Sequence, residues 1–498
     1  MNEEKPTYEE NPLSTPPKVV KRGINWLAVL AVSILTFTFG VVITYFAVEL
    51  DQVHQVQIAP PIDDVDLDEF LIVLNQLQNN HYFFDEETDL IRGAIEGMIA
   101  ATGDSYTHFF TTSDFETSMG HLRESFYGIG AEVTTINGNV TIVTPMLGSP
   151  AEHYGVLPGD VVISVDGVDV RDESQNEVVN RIRGEYGTVV TLGLLRSGSD
   201  FIYIDVTRGR IINETVTTQI LESDGMTIGL IRVSTFGEAT LRDFQNAIEE
   251  VESYDIDGLI VDLRNNSGGY LNAVNGMVSY LLPSGLKITS AIDRDGYETT
   301  HMTRGDATHR LDVDIITLIN GGSASASEIF AAAMIESGGF EVIGTTSFGK
   351  GSVQRTLPIR EDSMLNLTTQ AWLTPDGHLI EGHGVEPTIY VEASEFLSIF
   401  QIHFGDHELL EYDMVHHSIA SAQQILNALG YDVARTDGYF DASTVEALEV
   451  FQADNDLEVT GTLEHLTASA LSMALRDKVR NPAYDTQIQA AIEWFEQQ

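Results

Sequence analysis

Between Asn320 and Gln354 the chain reads NGGSASASEIFAAAMIESGGFEVIGTTSFGKGSVQ: alternating serines at a turn, an apolar helix, a strand-like run and a glycine-flanked lysine. A serine hydroxyl is a poor nucleophile until a neighbour takes its proton, and a lysine can do so only when neutral. Burial supplies neutrality because it disfavours the ammonium form, and Lys350 stands among Phe348, Gly349, Gly351 and Val353. Ser323, Ser325 and Ser327 all compete for the nucleophile, and chemistry alone does not choose among them. Glu328 to Met334 reads as helix, so the serines occupy its cap and first turn, where backbone N–H groups favour developing negative charge. A second element, Val261-Asp-Leu-Arg-Asn-Asn-Ser-Gly-Gly-Tyr270, runs from an apolar strand into a turn whose glycines let backbone N–H groups approach a ligand. With no cysteine in the chain, thiol nucleophiles, disulfides and thiolate metal sites are excluded. His403, Asp406, His407, His416 and His417 lack zincin spacing and read as a polar linker. Asp63, Asp64, Asp66, Asp68 and Glu69 lack the glycine and closing glutamate of a calcium loop, so no metal and no cofactor is expected.

The two motifs together resemble those of the C-terminal processing peptidases, or tail-specific proteases, a family of Ser-Lys endopeptidases. In that family the nucleophile is the middle serine of a Ser-Ala-Ser-Ala-Ser-Glu run, here Ser325, and the base is the lysine of Phe-Gly-Lys-Gly, here Lys350. The resemblance makes Gln354, four residues further on, the group that orients the lysine amine. It makes the Asn- and Gly-rich turn one side of an oxyanion hole, through the N–H of Gly268 or Gly269 together with that of Ala326. The family has proline where Ser267 stands, and Thr388 replaces its usual acid after the closing Gly384-Val-Glu-Pro387. The fold implied is α/β and multidomain: a crotonase-like mixed-sheet core with a PDZ domain inserted before it.

The elements that must carry these residues are legible in the pattern. A length of 498 residues implies three or four domains of roughly 100–200 residues each. Ile24–Val48 holds 25 residues without Asp, Glu, Lys or Arg, which as helix would extend about 37 Å and cross a bilayer core of about 30 Å. Lys18, Lys21 and Arg22 precede it and Glu49 and Asp51 follow, which leaves residues 1–23 in the cytoplasm and the catalytic region outside. A retained anchor is preferred over a cleaved signal peptide, because no clear small-x-small site follows the span. Residues 49–65 read as an acidic, proline-punctuated stalk. Asp66 to Phe126 looks helical, with apolar stripes that imply packing on a neighbour; the family's comparable segment can contribute to dimerisation.

Residues 126–208 change to short strands and resemble a PDZ domain through Tyr127-Gly-Ile-Gly130, Gly148-Ser-Pro-Ala151, Leu157-Pro-Gly-Asp160 and Val165-Asp-Gly-Val168. Such domains add an extended peptide to a sheet edge and hold its terminal carboxylate in a backbone nest. Tyr127, Gly128, Ile129 and Gly130 would form the nest, and Val178 and Ile182 would touch the terminal apolar side chain. Arg183 would reach the carboxylate, dock the domain on the core, or simply end its helix as a solvated cation. Residues 209–395 alternate strands and helices as an α/β protease core. After a linker at 396–417, residues 418–474 resemble a three-helix peptidoglycan-binding domain through Gly430-Tyr431, Phe451-Gln452 and Thr460-Gly461, and residues 475–498 read as a helical tail.

The net charge of −49, from 75 acidic and 26 basic residues, makes nucleic acid an improbable partner. The reading is a membrane-anchored, extracytoplasmic serine endopeptidase acting on proteins with apolar C-termini. The competing class is a catalytically silent adaptor that recruits partners through its PDZ and wall-binding modules.

Overall fold

The computed structural model describes residues 64–83, 85, 89–112, 114–115, 119–136, 138–146, 148–196, 200–305, 311–394, 399, 402 and 409–498. The Ile24–Val48 span, the tail before it, most of the stalk, and His403, Asp406 and His407 lie outside them. No described helix is long and apolar enough to cross a membrane. Residues 1–94 and 95–498 form two units. In the first, helix α1 (Asp64–Asn80) exposes the apolar side chains Leu67, Phe70, Leu71, Ile72 and Val73.

Helix α2 (Leu90–Ala100) leads into the second unit. The expectation of helix as far as Phe126 fails here: His108–Thr111 is a strand, β1, which pairs antiparallel with β18 (Ser363–Leu373) of the protease core. Strand β2 (Ser125–Gly128) pairs antiparallel with β9 (Gly209–Ile212) and so zips together the two ends of the segment between them. That segment is a sheet ordered β3 (Ala131–Ile136), β4 (Asn139–Pro145), β5 (Val161–Val165), β7 (Val189–Arg196), β8 (Asp200–Thr207), with β6 (Val168–Asp169) paired to β5. The short helix α3 (Pro150–His153) and α4 (Gln175–Ile182) pack on it, α4 starting at a capping box between Ser174 and Glu177. Its own core comprises Ile129, Val140, Ile142, Val162, Val178, Leu192 and Leu194 among others.

The protease core is built on a six-stranded sheet ordered β10 (Val216–Ser223), β11 (Met226–Val233), β12 (Gly258–Asp262), β15 (Asp314–Ile319), β16 (Glu341–Gly344), β19 (Ile389–Tyr390). From β11 to β19 neighbouring strands are parallel. Strands of such sheets are apolar on both faces and read as unbroken runs, as in Gly258-Leu-Ile-Val261 and Ile315-Ile-Thr-Leu-Ile319. Ile231, Leu259, Val261, Ile315 and Ile319 face helices α5 (Thr240–Glu252), α6 (Leu271–Leu281) and α7 (Ala326–Ala333). The alternate residues Ile228, Leu230, Ile260, Ile316, Leu318 and Ile343 face α11 (Thr486–Glu496) through Ile488, Ala491, Ile492 and Phe495. A second sheet joins β1, β13 (Lys287–Asp293), β14 (Glu298–Met302), β17 (Ser352–Arg360) and β18.

The core therefore reaches beyond 209–395 at both ends, taking in β1 and α11. Between the core and α11 lies a bundle of α8 (His417–Leu429), α9 (Ala442–Asp454) and α10 (His465–Arg480) around Ile419, Leu426, Phe440, Leu448, Phe451 and Leu471. His416 belongs to this bundle: its Nδ1 accepts the Ser418 N–H and caps α8, with the His417 ring 4.0 Å away. The chain leaves and rejoins the core at one place, where Ser394 Oγ donates to the Tyr484 carbonyl at 2.6 Å and accepts the Thr486 N–H at 3.1 Å.

Candidate active site

Two turns at the C-terminal ends of adjacent parallel strands meet here, one after β12 and one after β15. They are laced side by side. Asn265 N–H donates to Asn320 Oδ1 at 2.9 Å, Asn320 Nδ2 returns a bond to Asn265 Oδ1 at 3.0 Å, and Ala324 N–H donates to the Asn266 carbonyl at 3.0 Å. Two of the three serines are spent on this lacing. Ser323 Oγ donates to the Leu263 carbonyl and Ser327 Oγ to the Asn266 carbonyl, each at 2.8 Å, and both residues are fully buried. Ser325 stands half-exposed between them, with φ 55° and ψ −111°, a conformation that side-chain-bearing residues avoid at a cost of about 1–3 kcal/mol.

The strain is held by a buried carboxylate. Glu328, fully enclosed, accepts from Ser325 N–H at 2.7 Å, Gly349 N–H at 2.7 Å, Lys350 N–H at 2.9 Å and Ser347 Oγ at 2.5 Å. One side chain thus ties the serine turn to the lysine loop. Burial pushes its pKa up, and those four donors offset part of the rise. The loop also needs its glycines: a Cβ at Gly351 would lie 2.1 Å from Glu381 N, in the turn whose carboxylate accepts the Gly351 N–H at 2.8 Å.

Lys350 is half-buried, and burial holds its pKa below the ordinary lysine value against the opposing charges of Glu381 and Glu328. Its Nζ lies over the ring of Tyr106, 4.9 Å from the centroid. The Gln354 amide nitrogen is bonded elsewhere. It donates to Ser352 Oγ at 2.9 Å and Thr368 Oγ1 at 3.2 Å, beside a register shift between Val353 and Gln354. Of the glycines, Gly268 lies against the nucleophile turn, a Cβ at that position falling 2.9 Å from Ser325 Cβ. Its N–H is used by Asn266 Oδ1 at 2.9 Å. Asn266 also donates from Nδ2 to the Val233 carbonyl at 2.8 Å, so this turn is braced without the proline that Ser267 replaces.

The same turn is braced from behind. Arg264, almost enclosed, meets Asp262 at 2.8 Å and Asp485, at the foot of α11, also at 2.8 Å, and donates to Gln487 Oε1 at 2.9 Å. Burial alone would raise the Asp262 pKa, but its bonds to Arg264 and the charge of Arg232 outweigh that and hold it below the carboxylate range.

The family model for peptidase family S41 matches residues 227–391, which span both turns and the lysine loop. The carboxy-terminal processing protease CtpB of Bacillus subtilis is 34% identical over 84% of this chain and 87% of its own length. The carboxy-terminal processing protease CtpA of the same organism is 32% identical over 84% of this chain and 88% of its own. The chain belongs to the carboxy-terminal processing protease family. It is a serine-type peptidase, which removes the silent-adaptor alternative. A PDZ model matches residues 141–196 and a peptidoglycan-binding domain model residues 416–471 of this protease.

In the PDZ domain β3 lies at the sheet edge. Tyr127 and Gly128 lie in β2, paired with Arg210 and Gly209. Gly130 takes φ 73°, and a Cβ there would come within 2.6 Å of Ser149. Ile129 is buried, its carbonyl accepting the Ala151 N–H at 2.7 Å. Val178 and Ile182, expected to meet a ligand, are instead core residues 0% and 5% exposed. The reason is that α4 sits tight on β3, with Gln175 bonded to the Thr135 hydroxyl at 3.1 Å and the Val133 carbonyl at 3.5 Å. Arg183 is no solvated cation: its guanidinium lies 4.8 Å from the Phe126 ring centroid, half-buried, with its pKa lowered by that burial.

Tyr106, which lies over the Lys350 amine, falls in the stretch expected to be helical and is not among the residues the sequence singles out. The signal was present in Asp104-Ser-Tyr-Thr107, where an Asp two residues ahead of an aromatic specifies a tight Asx turn.

Proposed function

We propose that this protease cleaves by Ser-Lys catalysis, with Ser325 as nucleophile and Lys350 as general base. The observation that carries the reading is the division of labour among the serines: Ser323 and Ser327 are buried and bonded to carbonyls, while Ser325 is half-exposed and clamped through Glu328 to Lys350. Neutral Lys350 takes the Ser325 proton as Oγ attacks the scissile carbonyl carbon. The oxyanion is met by the N–H groups of Gly269 and Ala326. The lysine ammonium then protonates the leaving amine, and water, activated by the same amine, hydrolyses the ester and restores Ser325. Gln354 serves through Thr368, supporting the lysine's surroundings rather than the amine itself.

In this reading the two-sheet core is crotonase-like. Ile24–Val48 anchors the chain in the membrane with the catalytic region outside, the PDZ domain takes apolar C-terminal tails along β3, and the bundle at 416–471 holds the enzyme to peptidoglycan. The test compares the full chain with Ser325→Ala and Lys350→Ala on an unfolded protein ending in apolar residues. Cleavage by the wild type alone is expected, and activity in Ser325→Ala would overturn the assignment.

A further inference from the structure

Lys350 must be neutral at working pH, which calls for cover over its amine. Cover comes from a segment more than two hundred residues earlier in the chain, between α2 and β1. We infer that Tyr106 is a positioning residue of the catalytic centre, its ring roofing the Lys350 amine and keeping water from it. This inference rests on the Ser-Lys reading above.

The turn that carries the ring is fastened through the Tyr106 backbone and its neighbour Thr107. Asp104 Oδ1 accepts the Tyr106 N–H at 2.9 Å and Asp104 Oδ2 accepts the Thr107 hydroxyl at 2.5 Å. Thr107 Oγ1 in turn accepts the Thr368 N–H at 3.1 Å, which fastens the turn to β18. Immediately afterwards β1 pairs with β18, from His108 against Asn366 to Thr111 against Ser363. Thr368 also receives the Gln354 amide at 3.2 Å, so one threonine connects Gln354 to the Tyr106 turn. Thr107 is buried at 4% exposure although it is polar, consistent with a bonding role.

The charged groups facing Lys350 are Glu328, whose carboxylate takes the Lys350 N–H, and Glu381 across the loop; with Asp104 they also face Tyr106. Both glutamates favour the ammonium, so a neutral amine depends on exclusion of water. A ring over an ammonium attracts it by about 0.5–2 kcal/mol. Desolvation shifts a fully buried lysine by up to about 3–5 pH units, each worth about 1.4 kcal/mol, and Lys350 is half-buried. On this inference the ring's share of that cover outweighs its attraction for the ammonium, so that loss of the ring raises the Lys350 pKa.

The test follows kcat/KM against pH for Tyr106→Phe, Tyr106→Ala and Thr107→Val, with Lys350→Ala beside them. Tyr106→Phe keeps the ring and is expected to keep the wild-type acidic limb. Tyr106→Ala should move that limb to higher pH by about one unit, a loss of about tenfold in kcat/KM below the limb, with the plateau above it nearly unchanged. Thr107→Val, which only loosens the turn, should move the limb the same way by less, and it carries the test if Tyr106→Ala does not fold. A lowered plateau with the limb in place is what a merely structural role would give, and it overturns the inference, as does a shift to lower pH. Those failures leave Lys350→Ala inactive. A Lys350→Ala enzyme with the wild-type profile would instead sink the Ser-Lys reading itself.

Discussion

The two faces of the six-stranded sheet are covered in opposite ways. On one face lie α5, α6 and α7, each following directly a strand of the sheet, and the Ser325 turn opens onto α7. The other face is covered by α11, which returns only after the whole three-helix bundle has been threaded. The catalytic face is thus local and rigid by construction. The opposite face is stable only when the far end of the chain comes home. The faces meet at Arg264, which lies in the turn after β12 yet bonds Asp485 at the foot of α11. Chemistry and long-range closure are separate tasks joined by one guanidinium.

That separation predicts four outcomes. Ser325→Ala should reduce peptide hydrolysis by about 10⁴-fold or more while leaving the melting temperature unchanged or slightly higher, since alanine removes the nucleophile and no packing; a clear fall in melting temperature would break the separation. Asp262→Asn should cost about 3–5 kcal/mol by leaving a buried guanidinium short of charge, measured by urea unfolding at pH 7. The wild-type advantage over this variant should also fade in acid. Asp262 is held below its unfolded value of about 3.9, so its contribution is whole above that pH and is lost as pH falls through the folded value. Parallel unfolding curves from pH 5 to 3 would contradict it.

Phe495→Ala should cost about 3–4 kcal/mol in stability, because the ring fills the space above Gly258, where a Cβ would lie 2.6 Å from it. Its kcat per folded molecule should stay within about twofold, and a larger loss would show that the two faces are coupled more tightly than Arg264 implies. The smallest effect is expected for Ser267→Pro. The Asn266 bonds already fix this turn, so the proline should add about 0.4–1 kcal/mol by restricting the unfolded chain, seen as a rise in melting temperature.

What could be read in the sequence follows the same division. Ser325, Lys350 and the glycine turn are short motifs whose spacing carries their chemistry, and the apolar runs of β12 and β15 announce a sheet buried on both faces. Which serine hydroxyl is left unspent could not be read, because that depends on carbonyls some sixty residues away. Strand β1 has only His108-Phe-Phe-Thr111 and no alternation to mark it. Helix α11 is amphipathic, but amphipathicity says that a helix packs and not upon what. The resemblance to a PDZ domain makes Val178 and Ile182 ligand contacts; that both are instead buried on α4, whose Gln175 bonds β3, depends on how closely the helix approaches the sheet.

The staple at Ser394 changes what it takes to shed the bundle. In a protease carrying an accessory module at its end, one backbone cut sets the enzyme free. Here a nick before the bundle leaves it hanging from α11, whose Ile488, Ala491, Ile492 and Phe495 stay embedded in the sheet. A nick after it leaves the bundle joined at residue 394 and puts at risk the helix that seals the core. Clean release demands two cuts and a surviving α11, so single-hit damage either fails to detach the enzyme or endangers its fold.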